Sequence, residues 1–120
     1  MQPELDIVIP VYNEGRNIVP TLAALAKHVT TPARVLICYD HDDDDTLPAI
    51  HANPQMLPVE FVRNAGRGAH GAVMTGFAAS RSPFVLMYPA DDDTNAAMLD
   101  RMEAVFYRAV AERGSGAGGI

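Results

Sequence analysis

Two runs of carboxylates stand out for the chemistry they could do. Residues 40–46, DHDDDDT, follow the apolar run LICY, and residues 91–93, DDD, follow VLMYPA. Crowded anions repel one another, so folding alone gains nothing from the arrangement, and a cation is the natural partner. Asp91 and Asp93 straddle one residue, so both can turn towards one ion. Divalent magnesium or manganese prefers hard oxygen ligands, usually one or two carboxylates with phosphate oxygens and water. Such an ion would neutralise a diphosphate and stabilise it as a leaving group. A second reading of the triplet stays open: a solvated acidic turn that starts a helix, a position for which aspartate and Thr94 are suited.

Two further metal or nucleotide motifs can be tested on spacing. Asp40, Asp42 and Asp44 have the one-three-five spacing of a calcium loop. Its sixth position needs glycine and its twelfth a bidentate glutamate; here they are Asp45 and His51, and the motif fails at both. Gly66, Gly68 and Gly71 spell a G-x-G-x-x-G, with Asp91 twenty residues after Gly71, as in an NAD(P) or flavin site. Against it, Asn64 and Ala65 separate the preceding strand from the first glycine, two strand–helix units come before it, and the acids at 42–45 gain no role. Arg67 and Arg63 carry the planar guanidinium that suits phosphate, although Arg63 serves equally as an ion-pair partner at a strand end.

These residues need elements to hold them. Asp6–Val11, Val35–Tyr39, Val59–Arg63 and Phe84–Tyr88 are short apolar, β-branched runs bounded by turn residues and read as strands. Between them the pattern predicts a helix from Asn17, as cap, through His28, with Pro20 tolerated in the first turn. It predicts a short helix after Thr46, limited by Pro48 and Pro54. A third helix spans Ala69–Ser80, and a last one has the inner stripe Met98, Met102, Val105, Phe106 and Ala109. Continuous apolar strands alternating with helices predict an α/β three-layer sandwich around a mostly parallel sheet. Ligands bind such sheets beyond the carboxyl ends of the strands, where strand order reverses. Tyr12–Glu14, Asp40–Asp45, Asn64–Gly68 and Asp91–Asp93 all follow strands, so every polar cluster falls on that edge.

Composition excludes other classes. A chain of 120 residues with 48% apolar residues is sized for one globular core. The net charge of -6 is local: eight of fifteen acids lie in the two clusters, leaving seven against nine Lys and Arg. No basic face for nucleic acid follows. Cys38 is the single cysteine, which excludes an internal disulfide and a cysteine zinc site; in its apolar run it reads as a buried, inert thiol. The segment MQPELDIVIPVYNE lacks a signal peptide's basic start, and no run has the length of a membrane span. A cytoplasmic setting is expected, with peripheral association to the membrane left open.

In order and spacing, DIVIPVYNE, YDHDDDDT, RNAGRGAHGAVMTGFAAS and YPADDD resemble the nucleotide-binding half of family 2 glycosyltransferases, and among them the bacterial relatives of dolichol-phosphate mannose synthase. The resemblance implies a GT-A fold, a nucleotide-diphosphosugar donor, Mg2+ or Mn2+, and a lipid-phosphate acceptor at a membrane surface. By matching positions, Pro10, Tyr12, Asn13 and Glu14 line the nucleotide pocket, and Asp40 hydrogen-bonds the base or ribose. Asn64, Gly66, Arg67 and Gly68 form the loop near the phosphates and sugar. Asp44 and Thr46 match an Asp and a Thr of the family. Asp91 matches the last aspartate of the family's metal-binding D-x-D, with Asp93 or Asp92 assisting, since Pro89 stands where the first aspartate is common and cannot ligate. Asp42, Asp43 and Asp45 are given no role beyond a solvated turn. Residues 1–113 are then a donor-binding domain, incomplete at its C-terminus, and 114–120 a glycine-rich tail. A partner chain or a further acceptor-side half is expected to complete the catalytic site; without one, the chain is a non-catalytic nucleotide-binding module.

Overall fold

The computed structural model describes residues 3–64 and 68–91. Along them run β1 (Leu5–Pro10), α1 (Ile18–His28), β2 (Ala33–Tyr39), α2 (Thr46–His51), β3 (Val59–Arg63), α3 (Gly68–Ala79) and β4 (Phe84–Met87). The sequence placed the four strands, α1 and α3 within two residues of their observed bounds, and a short helix at the position of α2, which contains Pro48 and ends before Pro54. The last helix and the glycine-rich tail lie outside the described residues.

All pairings are parallel, in the order β3-β2-β1-β4. The first three strands step in one direction and β4 returns to the far side of β1, so strand order reverses between β1 and β4. The two-residue period of a strand divides the central strands between two cores. Leu5, Ile7, Ile9, Val35 and Ile37 pack with Ile18, Leu22 and Leu25 of α1. Val8, Leu36 and Cys38 pack with Ala72 of α3. Helices thus cover both faces, which is why the strands show no polar alternation.

Local chemistry explains the bounds. Ile18, Thr21, Leu22 and Leu25 are buried at helical spacing. Asn17 stands at the cap of α1 as expected, but its side chain makes no cap hydrogen bond. Instead the Glu14 carbonyl accepts from the Asn17 and Ile18 amides at 2.9 and 2.8 Å, and the Asn17 amide group donates to Glu14 Oε1 at 3.1 Å. Helix α3 approaches the sheet closely at Gly76, where an added Cβ would collide with Val8 Cγ1 and meet Cys38 Sγ at 2.9 Å.

At the amino edge, Asp6 is buried on the α3 side. It accepts from Arg34 Nε (3.0 Å) and Nη2 (2.8 Å), from the Ser80 and Ser82 hydroxyls, and from the amides of Arg81 and Ser82. Burial by itself would raise this carboxyl; the Arg34, Ser80 and Ser82 hydrogen bonds and the Arg81 amide outweigh it and hold it at about 2. One side chain of β1 therefore ties down β2 and the turn that enters β4.

Candidate nucleotide site at the carboxyl edge

Beyond β1 the chain is pinned once more to β2, the Val11 amide donating to the Cys38 carbonyl at 2.9 Å, and then leaves the sheet. Pro10 is half-buried at the strand end. Tyr12 is 66% exposed, its ring 6.3 Å from that of His41 in an edge arrangement. Asn13 adopts a left-handed φ of 52°, a conformation uncommon outside glycine and most tolerated by asparagine and aspartate. Glu14 is half-buried over the start of α1.

The segment after β2 holds that loop. Asp44 and Thr46 are buried at 2% and 0% exposure. Asp44 accepts from the Asn13 amide at 3.0 Å and from the Thr46 amide at 2.8 Å. The Thr46 hydroxyl accepts from the Glu14 amide at 2.9 Å. Asp45 accepts from the Gly15 amide at 2.8 Å and returns its own amide to Asn13 Oδ1 at 3.0 Å. Much of the first acidic cluster is thus answered by backbone donors, and Asp42 by Arg63 at 2.8 Å. The expectation that Asp42 and Asp45 are merely solvated is corrected: the Arg63 guanidinium meets Asp42 and the Gly15 amide meets Asp45. Asp43 stays exposed. Only the Asp44–Thr46 contact is local in sequence; those to the Asn13, Glu14 and Gly15 amides join residues thirty or more apart and leave no mark in a run of identical acids.

Asp40 is half-buried at the end of β2. The Asn64 side-chain amide donates to its Oδ1, and Thr75 Oγ1 of α3 donates to Asn64 Oδ1 at 2.9 Å. That second bond fixes the amide's orientation, with its NH2 towards the carboxylate. Arg63 Nε donates to the Asp40 carbonyl at 3.0 Å, and its guanidinium lies 6.0 Å from the centre of the Tyr39 ring. Arg63 is thereby a strand-end partner.

Beyond β4, the Thr21 hydroxyl of α1 donates to the Ala90 carbonyl at 2.7 Å. This fixes the backbone immediately before Asp91, which is exposed. Gly68 opens α3. Gly66, Arg67 and Asp93 lie outside the described residues. Among the described residues no cluster of three or more His, Cys, Asp or Glu is placed to hold a metal. Asp91 suits the one-carboxylate share that magnesium or manganese takes when phosphates and water complete the shell.

Tyr12, Asn13, Glu14, Asp40, Asn64 and Asp91 therefore stand on one edge of the sheet, with the β1 and β4 loops flanking the point where strand order reverses. The glycine run instead follows β3, the outer strand. A groove of about 510 Å³ between α1 and residues 53–56 contains none of them. No described helix is long and apolar enough to cross a membrane.

Comparison with known proteins agrees with this geometry. A curated relative in Serratia proteamaculans, an undecaprenyl-phosphate 4-deoxy-4-formamido-L-arabinose transferase, is 30% identical over 94 residues, covering 73% of this chain and 29% of its own length. Relatives in Yersinia enterocolitica and Pseudomonas savastanoi carry the same name; none of these three is named as a dolichol-phosphate mannose synthase. The chain spans about 29% to 33% of the length of these relatives. Among solved structures, S. aureus TarS in complex with UDP-GlcNAc superposes with a TM-score of 0.65 at 23% identity, over 84% of this chain and 30% of that one. The mannosyltransferase PcManGT from Pyrobaculum calidifontis, in complex with GDP-Man and Mn2+, gives 0.62 at 21%, over 76% and 28%. At these identities the two structures establish the fold. Residues 6–109 match the family model "Glycosyl transferase family 2", and the chain belongs to that family.

Proposed function

We propose that this chain is the donor-binding part of a glycosyltransferase that moves a sugar from a nucleotide diphosphate to a polyprenyl phosphate. The observation that carries the reading is the gathering of Tyr12, Glu14, Asp40 and Asp91 on the carboxyl edge around the reversal point. The nucleotide-sugar complexes of the TarS and PcManGT structures and the lipid phosphate in the curated relatives' names support the two substrates.

In this reading Tyr12 offers an exposed ring to the base. Asp40, acceptor-only and with one oxygen held by Asn64, takes a donor of the base or ribose. Gly66, Arg67 and Gly68 approach the phosphates and sugar. Asp91, with Asp93 or Asp92, would hold Mg2+ or Mn2+, which supplies charge neutralisation for the departing diphosphate. The anionic phosphate oxygen of the acceptor attacks the anomeric carbon as the bond from that carbon to the nucleotide diphosphate breaks, and the groups that position the acceptor are expected from an acceptor-side half or a partner chain.

A dinucleotide site sits beside the point where strand order reverses. The glycine run instead follows β3, the outer strand, which speaks against the NAD(P) reading. The alternative is a nucleotide-binding module without turnover. Calorimetry of this chain with UDP and GDP, with and without Mn2+, tests the first: metal-dependent binding of one of them is expected. Metal-independent binding of NAD instead would overturn it. Sugar transfer or donor hydrolysis by the same chain would exclude the inert module.

A further inference from the structure

We propose that Asp44 and Thr46, placed by nothing so far in direct contact with a ligand, are positioning residues for nucleotide recognition. From the buried start of α2 they fix the backbone of Asn13 and Glu14. They thereby fix the direction in which the Tyr12 and Glu14 side chains leave the loop. The inference rests on the donor-binding reading above.

The pattern is one of consecutive partners. The amides of Asn13, Glu14 and Gly15 donate in turn to Asp44, Thr46 and Asp45, and Asn13 Oδ1 closes the set by accepting from the Asp45 amide. Successive loop amides that converge in this way ordinarily make a concavity for an anion. Here the protein supplies the anion itself. Asp44 is 2% exposed and Thr46 fully buried, so neither presents more than a trace of surface. Both oxygens of Asp44 are engaged, one by Asn13 and one by Thr46.

Two features show that the loop needs this support. Asn13 holds a left-handed φ of 52°, which persists only where the surroundings over-determine it. At Gly15 an added Cβ would stand 2.9 Å from the carbonyl and the carboxylate of Asp45, so the two segments meet at backbone distance. The β1 loop and the start of α2 thus behave as one body. Tyr12 and His41, 6.3 Å apart, and Asp40 at the head of the same segment, are carried on it.

The test separates the hydroxyl of residue 46 from its shape. Thr46→Val keeps the volume and removes the acceptor for the Glu14 amide; Thr46→Ser keeps the acceptor and removes a methyl group. Amide exchange at residues 13–15, read by NMR, is combined with calorimetry of UDP and GDP in the presence of Mn2+. Thr46→Val should exchange the Glu14 amide faster than the parent and weaken binding by about tenfold, and Thr46→Ser should restore both. Asp44→Asn, which turns one acceptor into a donor facing an amide, should release Asn13 or Thr46 in the same way. Asp43→Asn, outside the clasp, should leave exchange and binding at parent values. Binding that follows shape, kept in Thr46→Val and lost in Thr46→Ser, overturns the proposal, as does a freed loop that still binds with parent affinity. If the parent binds neither nucleotide, the donor-binding reading fails, while exchange at Glu14 still decides whether the clasp holds the loop.

Discussion

At the scale of single residues, the carboxyl edge is made of groups whose hydrogen bonds are committed before any ligand arrives. Asp40 is the clearest case. Thr75 orients Asn64, and Asn64 occupies one oxygen of Asp40. Thr75→Val should free the Asn64 amide to flip and should weaken UDP or GDP binding severalfold, with a loss of stability of about 1 kcal/mol on thermal melting. Cys38 makes the opposite point. It is fully buried, and burial raises its thiol to about 11, so almost no thiolate forms at neutral pH. The folded protein should resist iodoacetamide, and alkylation should appear only as the chain unfolds in denaturant. Labelling at the rate of a free thiol under native conditions would contradict the packing of β2 against α3.

At the scale of elements, two contacts decide where the site loops stand. Gly76 lets α3 lie against Val8 and Cys38. Gly76→Ala gains helix propensity but forces Val8 or the helix to shift, and the net should be a destabilisation of about 1–3 kcal/mol in urea melts. A stabilised variant would mean that α3 sits further from the sheet. On the other face, Thr21 of α1 holds the Ala90 carbonyl. Thr21→Val keeps the shape and leaves that buried carbonyl without its donor, costing about 1–3 kcal/mol. Because Asp91 follows directly, Mn2+-supported nucleotide binding should fall as well, which calorimetry on the folded variant would show.

At the scale of the whole molecule, the amino edge is locked by Asp6 and the carboxyl edge is left to function. Arg34 bridges Asp6 at 2.8 Å and Glu60 at 2.7 Å, joining three strands, and Arg81 adds a 3.0 Å contact to Glu60. The Asp6 carboxyl falls from 3.8 to about 2 on folding. A lowered folded value means that the stabilisation is complete above the unfolded value and is lost as pH falls through the folded one. Acid unfolding followed by circular dichroism should therefore steepen between 3.8 and about 2. Asp6→Asn should lose that component and should also be less stable at neutral pH, by about 3 kcal/mol, since Arg34 is left without its main partner. An unchanged acid profile in Asp6→Asn would show that other carboxylates set it.

The sequence by itself determined the layered α/β architecture, because uninterrupted apolar strands spaced by helical patterns admit few arrangements. It also determined the edge on which the polar loops gather, because each of them follows a strand. Periodicity is a local property and is written in the chain. Only the tertiary structure decided the strand order, and with it that β1 and β4 flank the reversal point while the glycine run of 66–71 follows the outer strand. It likewise decided that Asp44, Asp45 and Thr46 clasp a loop some thirty residues away, and that Asp6 is a buried hub rather than the first residue of an ordinary strand. Five nearly identical acids carry no local mark of which will meet an amide; that depends on which segment the fold brings opposite, and no spacing rule encodes it.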